Sequence, residues 1–319
     1  MKTLVTGAAG FIGSHLCERL AAMGHDVTGL DCLTPYYARE LKALNVTAVE
    51  QAGVPVLPLD LASDDLNAIA EGVEFVYHLA AQPGISAKTP FETYERNNIV
   101  ATHRLLSALE GSRSLRMFVN IGTSSIYGAD ATGPETVAPA PTSFYGVTKL
   151  AAEQLALARC RDLGFPACSM RLFSVYGPRE RPEKLYPKLL GCMLDDRAFP
   201  LFEGSEKHLR SYTYVGDIID GMVAVLERAD ACRGEIINLG CDTAITTGEG
   251  IRIVEELLGK PARLEIKPKR PGDQLRTHAT IDKARRLLGY GPRTSPREGL
   301  AQEVAWYRDA IWGRVSSDG

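Results

Sequence analysis

The sequence predicts an α/β protein built on a doubly wound parallel sheet. Two observations carry this. Short apolar runs alternate with helical patterns through the first half of the 319-residue chain, as in a parallel sheet covered on both faces. The first apolar run also opens directly into a glycine-rich turn and then a helix.

Taken in order, Lys2–Thr6 is an apolar run that ends in glycine, and His15–Met23 has helical spacing. Asp26–Leu30 stops at Asp31, Val54–Leu59 stops at Asp60, and Val73–Leu79 is a fourth strand. Asn98–Leu109 reads as helix, Met117–Ile121 as strand, Leu150–Arg161 as helix and Ala167–Phe173 as strand. Gly177–Pro187 holds three prolines and the charged residues Arg179, Glu180, Arg181, Glu183 and Lys184, so it reads as loop. Tyr212–Leu226 looks like a strand entering a helix, and Glu235–Leu239 is one more strand. Beyond Gly248 the pattern is mixed, Pro261–Pro271 is basic and proline-bearing, and Val315–Gly319 is expected to fray.

A length of 319 residues suggests two domains at ~150 residues each.

Composition excludes several classes. Apolar residues make up 45% of the chain, enough for a sizeable core. No apolar run approaches the ~18 residues of a membrane span, and MKTLVTGAAGFIG lacks the pattern of a secretory leader. A net charge of -3 leaves no basic footprint for nucleic acid. The seven cysteines (17, 32, 160, 168, 192, 232 and 241) form no CxxC pair and are read as reduced, mostly small core residues, which fits a cytoplasmic protein. The histidines at 15, 25, 78, 103, 208 and 278 show no ligand spacing, so no metal is expected.

Gly7, Gly10 and Gly13 form a GxxGxxG turn between the first strand and helix. Glycines there let the backbone turn tightly and approach a pyrophosphate on a helix N-terminus. Asp31, eighteen residues after Gly13, can accept hydrogen bonds from the ribose hydroxyls of NAD and would repel the 2′-phosphate of NADP. Asp60, at the end of the third strand, either accepts from the adenine amine or closes a turn. Tyr145 and Lys149 are four apart, which on a helix stacks them on one face. A nearby ammonium is expected to lower the phenol's pKa and make it a general base. Thr123, at the end of the fifth strand, is placed to reach the hydroxyl that Tyr145 deprotonates.

TGAAGFIG, HLAAQ (78–82), Asn98, TSSIYG (123–128), YGVTK (145–149), RLFSVYGPRERP (171–182), RSYTYVGD (210–217) and INLG (237–240) occur in one order along nearly the whole chain. In this the sequence resembles the extended short-chain dehydrogenases of the nucleotide-sugar epimerase/dehydratase family. The resemblance implies a Rossmann-like domain that binds NAD, over 1–175 plus 212–240, a smaller, discontinuous C-terminal α/β domain that binds the nucleotide sugar, over 176–211 plus 241–319, usually a homodimer, and chemistry that begins with oxidation at sugar C4. It makes Tyr145 the base, has Lys149 lower its pKa and hold the nicotinamide ribose, and has Thr123 bond the O4 hydroxyl. Phe11, Ile12, Leu61, Leu79, Ala80, Ala81, Gln82 and Asn98 complete the cofactor set it implies.

Members of the family differ in the fate of the 4-ketose. Dehydratases have a threonine followed by Asp-Glu, and UDP-glucuronate decarboxylases have Thr-Ser-Glu; this chain has Ser124-Ser125, which favours simple epimerisation. Gly177–Pro182 looks like the loop of UDP-glucuronate 4-epimerases, with Arg181 on the sugar carboxylate, and Pro35-Tyr36-Tyr37 and Arg270-Pro271-Gly272-Asp273 also look like that subgroup. Arg210 takes the pyrophosphate, and Ser86, Ser174 and Phe202 complete the implied sugar site. Ser86 stands where that subgroup often has Arg, and Ser174 where Asn or Thr is usual. The expected reaction is NAD-dependent C4 epimerisation of a UDP-sugar, UDP-glucuronate first. The alternatives are a UDP-glucose or UDP-N-acetylglucosamine 4-epimerase, a UDP-glucuronate decarboxylase, or a non-catalytic NAD-binding regulator.

Overall fold

The computed structural model describes residues 1–86, 88–268 and 276–313. Seven parallel strands form the large sheet. Strand β1 (Lys2–Thr6) lies between β2 (Asp26–Leu30) and β4 (Phe75–His78), and β2 pairs outward with β3 (Val56–Leu57). On the other side β4 pairs with β5 (Met117–Thr123), which pairs with Ala167–Leu172, and that strand takes Ile236–Leu239 as its outer neighbour. The chain therefore leaves β1 in one direction and returns to β4 in the other. Connections diverge between the C-terminal ends of β1 and β4 and leave a crevice there, where ligands of open α/β sheets bind.

The two faces are read off the side chains. Val5, Phe75, Tyr77, Met117, Val119 and Ile121 enter one apolar cluster, while their neighbours Leu4, Val76 and Phe118 enter another. That period of two buries both faces. A third cluster joins Leu189 and Leu190 of the helix Leu185–Leu194, Ile251 and Val254 of Thr247–Leu258, and Leu300 and Val304 of Pro296–Trp306.

Strand positions follow the expectations closely, although the third shrinks to Val56–Leu57. Helices start earlier than the apolar spacing suggests. Helix α1 runs Phe11–Ala22, directly from the glycine turn. The Tyr145 helix runs Phe144–Leu163, with the Ser143 hydroxyl accepting from Gly146 N–H and Gly164 closing it at φ +68°. The expected helix from Asn98 begins at Phe91 and passes through a π-helical stretch, Glu95–Val100. Pro187 belongs to the helix Leu185–Leu194 rather than to the preceding loop.

Helix α2 (Arg39–Gln51) was not anticipated, because its buried face is Lys42, Asn45 and Val49 and so shows no apolar stripe. Thr247–Leu258 and Pro296–Trp306 each carry a capping box, Thr246 with Glu249 and Ser295 with Glu298, a signal readable in the sequence. Asp130–Ala131 pairs with Arg276–Thr277 in the smaller four-stranded sheet, while Ala279, Ile281, Ala284 and Leu288 join the core of the large sheet. Cys17, Cys168, Cys192 and Cys232 are buried and all seven cysteines are free.

A buried ion pair ties the Tyr145 helix to the sheet. Arg171 donates to both oxygens of Glu153, at 3.0 and 2.7 Å, with side chains 1% and 0% exposed. Ser169 also donates to Glu153, and the Arg171 guanidinium lies 4.8 Å over the Tyr127 ring. Removing one partner strands a buried charge. Glu153→Ala is therefore expected to cost about 3–5 kcal/mol in urea unfolding; a loss within ~0.5 kcal/mol would show that the pair does not hold the helix.

Candidate active site

A cleft of about 810 Å³ opens at the ends of β1, β4 and β5. Its floor is the glycine turn. Gly7 has φ +74°, and a Cβ there would come within 2.9 Å of Ala80 N. A Cβ on Gly13 would run into the Gly7 carbonyl oxygen. Both positions need glycine because backbone meets backbone. Gly10, Phe11 and Ile12 line the same floor.

Asp31 stands at the end of β2, 7% exposed. Its oxygens accept from Leu33 N–H at 2.8 Å and Ala9 N–H at 3.2 Å, and Lys42 Nζ lies 3.5 Å away. Asn45 donates to the Ala9 carbonyl at 2.9 Å, so the polar face of α2 braces the turn. Lys42 lines the cleft and was missed with its helix. Asp60 accepts from Ala62 N–H at 2.9 Å and pairs with Arg96 at 2.6 Å. Burial opposes its ionisation, yet these bonds hold its carboxyl below the usual range. Asp60 thus closes a turn while still lining the cleft beside Leu61.

Leu79, Ala80 and Ala81 form the wall above β4. Behind them Thr6 Oγ1 bonds His78 Nδ1 at 2.9 Å, and His78 Nε2 meets Thr102 Oγ1 at 2.8 Å. Burial, then the nearby Lys149 charge, lowers His78 to about 3, so it is neutral. Gln82 and Asn98 do not line the cleft. Asn98 accepts from Gln82 N–H at 2.7 Å and donates to Thr148 Oγ1 at 2.9 Å, which links this wall to the Tyr145 helix.

Thr123, Tyr145 and Lys149 meet in the cleft, beside Ser124 and Ser125. The phenol does not behave as the sequence suggested. Burial raises the Tyr145 pKa, and the opposing pulls come from a hydrogen bond with Thr123 and the Arg181 charge rather than from Lys149. Burial also lowers Lys149 to about 8, against the pull of Glu153. In the chain by itself, Thr123 and Arg181 favour the phenolate.

At the other end of the cleft stand Ser174, Glu180, Arg181, Lys184 and Arg210. Arg181 pairs with Glu183 at 3.0 Å, and its guanidinium lies 5.5 Å over the Tyr36 ring. Its loop is braced from α1: His15 Nε2–H donates to the Pro178 carbonyl at 2.9 Å, and Arg179 pairs with Glu18 at 2.8 Å. Neither His15 nor Glu18 belongs to a motif that would have flagged it. Ser86 caps a turn by accepting from Lys88 and Thr89 N–H, and neither it nor Phe202 lines the cleft. Arg270 and Asp273 lie outside the described residues. Among the described residues no group of His, Cys, Asp or Glu is arranged to hold a metal, and no helix is long and apolar enough to cross a membrane.

The pattern of the NAD dependent epimerase/dehydratase family matches residues 3–240. The chain belongs to that family. It is 37% identical in sequence to the crystal structure of UDP-glucuronic acid 4-epimerase from Bacillus cereus in complex with UDP-glucuronic acid and NAD, with a TM-score of 0.92 over 97% of this chain and 99% of that one. It is 36% identical to the uncharacterized UDP-glucose epimerase YtcB of Bacillus subtilis, over 98% of this chain and all of that one. It is 33% identical to UDP-glucuronate 4-epimerase 3 of Arabidopsis thaliana, over 96% of this chain and 76% of that one.

The chain fits NAD. The cradle that a Cβ on Gly7 or Gly13 would fill suits a pyrophosphate, and the carboxylate of Asp31 suits a ribose diol. Gly13→Ala is expected to weaken NAD binding by ~10-fold or more in calorimetry, since the turn must shift; unchanged affinity would place the pyrophosphate elsewhere. Thr123→Val removes the hydroxyl that pulls the Tyr145 pKa down. The rising limb of kcat/KM against pH should then move up by roughly one unit, and an unmoved limb would remove Thr123 from the base.

Proposed function

We propose that this chain is a UDP-glucuronate 4-epimerase, acting as a cytoplasmic homodimer. The observation that carries the substrate choice is Arg181. Its guanidinium sits on the cleft wall close enough to Tyr145 to act on the phenol's ionisation, and it already holds a carboxylate, that of Glu183. A uronate whose O4 meets Tyr145 can place its C6 carboxylate on Arg181 in place of Glu183, through the planar fork of donors. The large-sheet unit holds NAD and the smaller unit holds the nucleotide, with Arg210 on the pyrophosphate. The exposed apolar residues Phe91 and Val100 on one helical segment and Phe144 and Val147 on the next are the face proposed for the dimer.

Tyr145, assisted by Thr123, takes the O4 proton as C4 is oxidised. Bound NAD supplies the hydride acceptor and then the donor. The 4-keto sugar turns over within the cleft, and Tyr145 returns the proton to O4 on the inverted centre. No further acid is needed beside Thr123, where the chain has Ser124 and Ser125, whereas dehydration would need one. A 4-keto uronate is a β-keto acid. Arg181 fixes the carboxylate so that the C5–C6 bond stays out of line with the carbonyl π system, which disfavours loss of carbon dioxide.

The reading is tested by incubating the protein and NAD with UDP-glucuronate, UDP-glucose, UDP-N-acetylglucosamine and TDP-glucose and following products by NMR. The C4-inverted uronate is expected. Pentose products would replace the proposal with decarboxylation, 4-keto products with dehydration, and inversion of a neutral hexose alone with the UDP-glucose reading that the YtcB name suggests. Tyr145→Phe should lower turnover by roughly 10²–10⁴-fold while NAD stays bound. Arg181→Ala should raise KM for UDP-glucuronate by roughly 10–100-fold with UDP affinity little changed; equal losses would make Arg181 a nucleotide contact.

A further inference from the structure

Glu180 sits between Arg179 and Arg181 and is 8% exposed; Glu303, on the helix Pro296–Trp306, is 0% exposed. Their carboxyl groups face each other within reach of a hydrogen bond. Oε2 of Glu180 and both oxygens of Glu303 are buried, and no donor meets them in hydrogen-bond geometry. Two carboxylates have only acceptors to offer one another. Buried face to face, they cannot both ionise cheaply, whereas one proton turns an acceptor into a donor and joins them.

We propose that Glu303 and Glu180 share one proton, and that this bond seats the loop carrying Arg181, making Glu303 a positioning residue for the substrate carboxylate. The proposal rests on the reading of Arg181 as the uronate contact. The loop is then fastened at the two residues that precede Arg181. Arg179 is held by Glu18 on α1, and Glu180 is held by Glu303 on the last long helix. Together these fastenings determine where the Arg181 fork points.

The groups around the pair bear on its titration. On the loop, Lys184 and Arg181 favour ionisation of Glu180, and Glu183 opposes it. Tyr176, Tyr186 and Tyr212 face the pair from the strand Val175–Tyr176, the helix Leu185–Leu194 and the segment before Thr213, and Tyr214 faces Glu303. Burial raises all four phenols, so they stay neutral. The Gly177 N–H approaches Glu303 and offsets part of the effect. The net direction is upward for both acids: burial moves Glu180 from 4.5 to about 8, and burial with the charge of Glu180 raises Glu303. An acid raised in the folded state favours folding fully below its unfolded value of 4.5, and that contribution is lost as pH rises through about 8.

Two measurements test the proposal on wild type, Glu303→Gln and Glu180→Gln. In the first, KM and kcat for UDP-glucuronate are followed from about pH 6.5 to about 9.5. Wild-type KM should climb ~5-fold or more above about pH 8, with a smaller change in kcat, as the second carboxyl ionises and the loop loosens. In Glu303→Gln the amide donates to Glu180 at every pH, so KM should stay flat. An equal climb in both proteins, or a flat wild-type profile, overturns the proposal. In the second, thermal unfolding is followed from about pH 5 to about 8 without substrate. Wild type should lose stability relative to Glu303→Gln across this range, and parallel curves overturn the shared proton. This arm needs no turnover, so it decides the proton even where UDP-glucuronate is not converted, an outcome that would instead sink the substrate reading. If Glu303→Gln does not fold, Glu180→Gln supplies the same donor from the loop side and is read by the same criteria.

Discussion

The ion pair of Glu153 with Arg171 is the constraint on which the cleft depends. Glu153 lies one helical turn beyond Lys149, which lies one turn beyond Tyr145. Arg171 is on Ala167–Leu172, the strand hydrogen-bonded to β5 and hence to Thr123. A bidentate bond at that point sets the rotation and height of the Tyr145 helix against the strand that ends in Thr123. Two buried charges are costly unless fully paired, so few other placements of this helix satisfy them. Asn98 fastens the same helix from the opposite wall through Thr148.

A second set of contacts brings the far end of the cleft to the first. The Arg181 loop leaves Val175–Tyr176, the strand paired with Thr213–Tyr214, and it is stitched to α1 through His15 and Glu18. Helix α1 begins at the phosphate turn. The element that starts at the glycine turn therefore also holds the loop that carries Arg181. Arg179 adopts φ +71°, an uncommon conformation for a residue other than glycine, and its ion pair to Glu18 accompanies that geometry.

Much of this was legible beforehand. Strand ends were readable because apolar runs stop at Gly7, Asp31 and Asp60, and the turn was readable because only glycine fits where Gly7 meets Ala80 and Gly13 meets Gly7. The Tyr145 and Lys149 spacing became informative once set beside Thr123. Helix α2 was hidden because its buried face is polar, and Lys42 was hidden with it. The titration of Tyr145 was misjudged because spacing along a helix says nothing of desolvation. Burial, not the neighbouring ammonium, dominates the phenol.

What the sequence by itself determined is the class of machine: a parallel sheet, a phosphate-accommodating turn, and a Thr, Tyr and Lys set in the order of its family. Such features are local, since each depends on residues a few positions apart and on the periodicity of strand or helix. Only the tertiary structure decided which charges face each other. Glu18 with Arg179, Asp31 with Lys42, and Glu180 with Glu303 are joined by packing across elements. Burial at those meetings, rather than spacing along the chain, settles which groups keep their protons, because the free energy of a charge depends on the solvent it has lost.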